Sequence, residues 1–565
     1  MKKVVLCGLL AVGYGLSAGA QQAPTKIKIK TKGGTKTAAT AATPAAPDLA
    51  RTYGATIQAE QLRQHLTVVA SDAFQGREVG QPGQKLAAEY LVKQFTALGL
   101  QGPVTGSDNP YLQHFQLTRG THADGGYLKV GSQRYEWLSD FFSYGPIPSP
   151  FRTETAMQPV FVGFGVEQGP FSDYAGLDVT GKDVVALMGA PTDERGRKLL
   201  KPLGRKDDYW DSGLRKAALA KAKGARSIFL VTFAPTEAFR KQATQLGSSL
   251  RDPAFSLPDP GPAVIDTVRE DIPPGIGVYL TSQDLGLQLA GTDIQGLVGY
   301  IRALGQAGGR SVRPAFQAPS VTVSIPQPQE QLTTENVLAY LEGTDKKDEV
   351  LVISSHYDHL GVKNDTIYNG ADDDGSGTVA VLEIAKAFAK AKQEGHGPRR
   401  SILFVNMTAE EEGLFGSEYY TAHPVFPLAN TIADLNIDMV GRTDRKHGAK
   451  KHYVCIVGSD KLSSDLHRIN EEANRKYTNL EFDYRFNVPG EPEHIYYRSD
   501  HYNFARRKIP VIFYTTGEHA DYHKATDDVE KIEFDKLTER AQLVFYTAWE
   551  LANREARIVV DSNKP

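Results

Sequence analysis

Residues 369–377 read Asn-Gly-Ala-Asp-Asp-Asp-Gly-Ser-Gly, three aspartates in a row between glycines. Like charges at such spacing repel, so a folded chain concentrates them where it holds a cation. More groups of the same kind sit close behind apolar runs. His356 and Asp358 come after "EVLVISS", Glu410, Glu411 and Glu412 after "SILFVNM", and His519 and His523 after "IPVIFYT", while Asp438 lies within "IADLNIDMV". A mixture of imidazole nitrogen and carboxylate oxygen suits zinc. Calcium would want oxygen ligands alone, alternating along one loop, whereas these aspartates are adjacent. Two histidines with several carboxylates exceed the needs of one ion and suit two ions about 3.5–4 Å apart sharing a carboxylate, an arrangement that activates water for hydrolysis.

The elements that must position these groups follow from the same runs. "EVLVISS", "SILFVNM", "IADLNIDMV", "HYVCIVG" and "IPVIFYT" read as buried strands, and "SGTVAVLEIAKAFAKAKQ", from near Ser376, as a helix between them. Apolar strands alternating with helices imply an α/β fold, a mixed, mostly parallel sheet flanked by helices. In such sheets ligands bind beyond the carboxyl ends of the strands, where the candidate residues fall. Further upstream, Gly83–Leu98 predicts an amphipathic helix with Leu86, Tyr90, Leu91, Phe95 and Leu98 inward. Between 156 and 322 short β-rich runs alternate with turns around one helix, "LRKAALAKAKGA", which predicts a separate inserted domain ending at the Pro-rich "IPQPQEQL". The domain holding the candidate site is then built from 51–155 and 323–560.

Composition is that of an ordinary globular protein: of 565 residues 41% are hydrophobic and 23% charged, with net charge −3. That balance gives no electrostatic reason to expect nucleic acid or an anionic membrane as partner. "MKK", an apolar run and "SAGA" make residues 1–20 a signal peptide, too short in its apolar part to span a bilayer, and 21–50 a flexible tether. Cys455 would be the one cysteine left after cleavage, a core residue in a strand. An exported chain without disulfides points to a bacterial periplasm or the extracellular space.

The motifs "TENVLAYLEG", "HYDHLG", "NGADDDGSG", "TAEEEGLFGS", "NIDMVGR", "RSDHYNF" and "YHKATDD", in that order over 335–530, resemble the zinc aminopeptidases of family M28. "VFVGFGVEQGPFSDYAGLDVTGKDVVALMG" resembles the protease-associated domain often inserted in them. The resemblance implies the zinc-exopeptidase fold, peptide substrates and two zinc ions. It implies that His356, Asp373 and Asp438 hold one ion and Asp373, Glu411 and His523 the other. Glu410 would be the general base, Asp358 would orient the His356 imidazole, and Tyr496 would help to bind the oxyanion. A cis peptide between Asp373 and Asp374 is implied as well.

Several residues stay open on sequence alone. His359, Asp500 and His501 neighbour the motifs without an assigned part, and His519 rivals His523. Gly163 and Gly165 in "VGFGV" read as turn glycines rather than a phosphate loop. A carboxypeptidase of the same fold would need an arginine cluster, for which Arg442 and Arg498 are candidates. A non-catalytic receptor on the same scaffold would be expected to lack metal ligands that this chain keeps.

Overall fold

The computed structural model describes residues 47–144, 148–203, 210–247, 249–259, 261, 275–308, 310–317, 319–448 and 451–562. The expected signal peptide and most of the expected tether lie outside them. A helix, Leu49–Gly54, begins inside the tether's predicted bounds and buries Ala50 and Tyr53. No helix among the described residues is long and apolar enough to cross a membrane.

The main sheet has nine strands: β1 Leu112–Gly120, β2 Ala254–Ser256, β3 Gln329–Leu341, β4 Lys346–His356, β5 Arg400–Met407, β6 Thr431–Ile437, β7 Tyr453–Val457, β8 Glu481–Asp483 and β9 Val511–Thr515. Their spatial order is β2-β1-β3-β5-β4-β6-β9-β7-β8. The central strands β5, β4, β6 and β9 are parallel. To either side of them the sheet turns antiparallel: β1 pairs with β3, β3 with β5, and β7 with β9. The sheet is therefore mixed, and parallel chiefly in the middle that carries the candidate site.

Helices cover both faces, and the period of two along each strand divides its side chains between them. On one face Leu351 and Ile353 of β4 and Leu435 and Ile437 of β6 pack with Val379, Phe388 and Phe545 of helices α2 (Gly377–Gln393) and α5 (Phe534–Asn553). On the other, Val350 and Val352 meet Tyr420 of α3 (Phe415–Ala422) and Phe504 of α4 (His501–Ala505). Cys455 is fully buried in β7, and burial pushes its thiol up to about 12, which leaves it a packing residue.

The expected helix near 83–98 is α1, Pro82–Ala97, with proline at its first position, where a missing N–H costs nothing. Its buried face is Gln84, Ala87, Ala88, Leu91 and Phe95, and Leu86 is 44% exposed. The apolar stripe expected from Leu86 is rotated because Gln84 faces inward, where its amide donates to Glu335 Oε1 at 3.0 Å.

The second unit has its own core, running from Leu128 to Ile325. Tyr127–Val130 and Thr155–Met157 both pair with Val321–Ser324, and Phe141–Ser143 pairs with Gly277–Thr281. The predicted boundary at 156 therefore falls inside this unit, which starts near Tyr127. It is also richer in helix than expected, with Gly213–Ala222, Thr236–Leu246, Gln283–Ala290 and Ile294–Gln306. One of its segments, β2, crosses over to pair with β1 at the edge of the main sheet. Gly163 and Gly165 have φ of 59° and 66°, and the turn they make is held by Asp173 Oδ2, which accepts from Phe164 N and Val166 N. The turn reading holds.

Candidate metal centre

The candidate residues meet at the carboxyl ends of the parallel strands. β4 ends on His356, Asp438 directly follows β6, the turn after β5 presents Glu410 and Glu411, and the loop after β9 presents His523. The aspartate loop crosses beneath them and runs into α2 at Gly377. A side chain at Gly377 would overlap Asp374 Oδ2 and the Ile437 carbonyl, so this position has room only for hydrogen.

Buried donors hold the loop. Asp527 Oδ2 accepts from Asp372 N and Asp373 N, at 3.0 and 3.1 Å. Asp372 Oδ1 accepts from Gly441 N. Arg77, fully buried, donates to the carbonyls of Val69, Tyr357, Asn369 and Gly370 and so ties the N-terminal segment to this loop. The peptide between Asp373 and Asp374 is cis, as the family resemblance implied.

Asp373 lies at the centre. His356 Nε2 is 3.3 Å from Asp373 Oδ1 and 3.6 Å from Asp438 Oδ1. His523 Nε2 is 3.1 Å from Asp373 Oδ2 and 3.1 Å from Glu411 Oε2. His356 Nε2, His523 Nε2 and Asp373 Oδ2 are all buried without a hydrogen bond in the chain, although facing atoms are this near. Two atoms bound tetrahedrally to one zinc at its usual ligand distances sit roughly 3.3–3.6 Å apart. The spacing thus matches groups that face a common ion on either side of Asp373, and the nitrogen and oxygen donor set is one zinc accepts.

Two further residues stand close enough to complete such clusters. His356, Asp374 and Asp438 form one group with ligand atoms within 4.8 Å of one another, and His359, Asp373 and Glu411 form another. Asp374 is already committed to backbone: its Oδ1 accepts from Gly377 N and Met439 N, and its Oδ2 from His356 N. His359, left open by the sequence, belongs to the site, with Nδ1 2.7 Å from Glu411 Oε1. Its signal was the spacing of "HYDH", which returns a second imidazole three residues after the first. His519 instead turns to Asp372 Oδ2 at 3.2 Å, behind the loop.

Two expected parts change. The Asp358 carboxylate is 3.7 Å from His356 Nδ1, beyond hydrogen-bond range, whereas its backbone carbonyl lies at 3.1 Å and orients the ring. The carboxylate accepts from the N–H groups of Glu410 and Glu411 and so positions that turn. Tyr496 packs against Tyr497, His501 and Tyr502, with the Lys461 ammonium over its ring. The phenol on the cavity wall is that of Tyr522, whose hydroxyl accepts from Arg498 at 3.1 Å. Asp373, Glu410, Asp438 and His523 line this cavity together with Ile495, Arg498 and Phe513.

Electrostatics separate the groups. Burial would lower His523, yet the Glu411 and Asp373 carboxylates raise it to about 9. Burial would raise Glu411, but the His523 imidazolium leads the opposing contributions that hold it well below the usual range. Glu410 moves the other way: burial raises it well above normal, His356 opposes, and Asp438 and Glu411 add to the rise.

Comparison with known proteins agrees with this architecture. Residues 336–548 match the sequence model of peptidase family M28. Among curated proteins, a probable zinc metalloprotease of Pyrenophora teres is 27% identical over 274 residues, covering 42% of this chain and 55% of the relative. Leucine aminopeptidase 1 of Penicillium rubens is 29% identical over 224 residues, covering 38% of this chain and 56% of the relative. The chain thus spans about half the length of these curated relatives. An aminopeptidase from Aneurinibacillus sp. strain AM-1 shares the fold, with a TM-score of 0.50 at 18% identity over 91% of this chain and 100% of that one.

Proposed function

We propose that the protein is a di-zinc exopeptidase that removes N-terminal residues from peptides. The observation that carries this reading is the meeting of His356 and His523 on the two oxygens of Asp373, with Asp438 beside the first imidazole and Glu411 beside the second. In this reading His356, Asp373 and Asp438 hold one zinc, Asp373, Glu411 and His523 the other, and His359 braces Glu411. Two dications, when bound, supply an acidified water and a polarised scissile carbonyl. Glu410 is the proton carrier. It faces the cavity, lies 3.9 Å from His356 Nε2, and its raised proton affinity suits a group that takes a proton and returns it to the leaving amine. Tyr522, rather than Tyr496, presents a hydroxyl toward the substrate.

The carboxypeptidase reading would need free guanidinium groups for an acidic terminus. Arg442 is paired with Asp521 at 3.0 Å, and Arg498 with Glu518 at 2.8 Å. Of the two only Arg498 lines the cavity, so the two arginines form no cluster there, which favours the aminopeptidase. The leader-like N-terminus adds export to the proposal.

A zinc assay and a substrate panel test the reading together. The purified protein should carry about two zincs per chain and release amino acids from peptides with a free N-terminus. N-acetylated peptides should resist, and a chelator should abolish release. Turnover of N-blocked peptides from the C-terminal end would favour the carboxypeptidase. Absence of both zinc and turnover would leave a binding protein on the same scaffold.

A further inference from the structure

Beneath the candidate centre runs a line of buried polar groups. Period-two alternation along β6 puts Asp434, Asn436 and Asp438 on one face of the sheet, beside Ser354 and His356 of β4. All five are buried, and Asp434, Asn436 and Ser354 show no exposure at all. The contacts are consecutive: Asp438 Oδ2 to Ser499 Oγ at 2.7 Å, and Ser499 Oγ to Asn436 Nδ2 at 2.9 Å. Asn436 Oδ1 then lies 3.0 Å from Ser354 Oγ, and Ser354 Oγ 2.7 Å from Asp434 Oδ1.

Counting protons fixes the direction of every link. Asp438, as an ionised ligand, only accepts, so Ser499 spends its single hydroxyl proton on it. Ser499 must then accept, which orients the Asn436 amide with Nδ2 toward Ser499 and Oδ1 toward Ser354. That oxygen only accepts, so Ser354 spends its one proton there. Ser354 Oγ has none left for Asp434, and two acceptor oxygens 2.7 Å apart need a proton between them. That proton can come only from Asp434.

We propose that Asp434 is a neutral carboxylic acid and a positioning residue, whose proton begins a one-way hydrogen-bond chain through Ser354, Asn436 and Ser499 that fixes the Asp438 carboxylate in the metal centre. The environment agrees. Asp434 Oδ2 is buried without a hydrogen bond in the chain, a costly place for a charge, and burial holds the carboxyl well above its usual range with Asp500 adding to the rise. The inference rests on Asp438 being a metal ligand.

The test uses zinc as the probe on full-length wild type and on D434N, D434A and S354A, by chelator competition. D434N keeps a donor toward Ser354 without a charge and should retain wild-type zinc affinity. D434A and S354A break the chain and should weaken one zinc about 10–100-fold, the usual effect of losing a ligand's outer partner. An atomic-resolution crystal structure of the wild type should show unequal C–O bonds at Asp434. Wild-type affinity in D434A and S354A would overturn the positioning role. Equal C–O bonds, or D434N as weak as D434A, would overturn the neutral acid. Should D434A fail to fold, S354A, which removes a single oxygen, gives the same reading. A wild type that binds no zinc would instead sink the metal-centre reading itself.

Discussion

Glu410 and Glu411 are chain neighbours that the fold places in opposite environments. Glu411 lies between two imidazoles, His359 at 2.7 Å and His523 at 3.1 Å, which favour its charged form. Glu410 faces the cavity, and burial favours its protonated form. Pairs of carboxyls driven apart in this way mark a division between ligand and acid–base group. Glu410→Gln should lower turnover by at least about 100-fold, the scale of a lost general base, with zinc content unchanged. Glu411→Gln should lose one zinc, as read by metal analysis. Exchange of the two outcomes would place the base and the ligand one residue off.

At the scale of elements, the aspartate loop is one wide turn, Ala371–Ser376, whose helical backbone is broken at Asp373 and Asp374, and it is held by what surrounds it. Arg77, far upstream in sequence, fills four backbone carbonyls on three segments. Arg77→Met removes all of these donors from a buried site. It should cost at least about 3 kcal/mol in a denaturant titration, since each orphaned buried acceptor carries a penalty of about 1–3 kcal/mol. Zinc affinity should fall with it, because Asn369 and Gly370 lead directly into Asp373. Gly377→Ala offers a smaller perturbation with a sharper target. Its added methyl overlaps Asp374 Oδ2, so the cap on Gly377 N and Met439 N is disturbed and the first turn of α2 should loosen. Hydrogen exchange at the start of α2 would report it.

For the whole molecule, two buried imidazoles each lower stability in acid. His122, in the second unit, is pushed down to about 4 by burial, and His501, stacked on Phe513 in the main unit, to about 3. In the unfolded chain both titrate near 6.5. Above that pH neither state binds the proton, and their neutral burial costs nothing. As pH falls below it, the unfolded state takes up protons that the folded state refuses, so stability drops toward the folded values. The slope is up to about 1.4 kcal/mol per pH unit for each histidine. Comparing denaturant midpoints of the wild type and His501→Phe isolates one of these histidines from every other titrating group: the wild type should lose stability relative to the variant as pH falls from about 7 to about 5. A difference between the two midpoints that stays constant over this range would contradict the buried, neutral assignment.

The sequence by itself determined the strands, the helix after the aspartate loop and the candidates at the strand ends. Each of these is written locally, as runs of apolar residues of one period and polar groups just past them. The family resemblance added different roles for the adjacent acids Glu410 and Glu411. Only the tertiary structure decided which atoms meet. The pairing of His359 with Glu411, the turn of the Asp358 carboxylate toward the Glu410 and Glu411 amides, the place of Tyr522 and the anchoring by Arg77 all depend on contacts between segments far apart in the chain. The start of the second unit near Tyr127 was hidden for the same reason: its first strands are recognisable only by their pairing with Val321–Ser324, almost two hundred residues on. Local patterning fixes what a segment is, whereas long-range hydrogen bonding and burial fix what it faces.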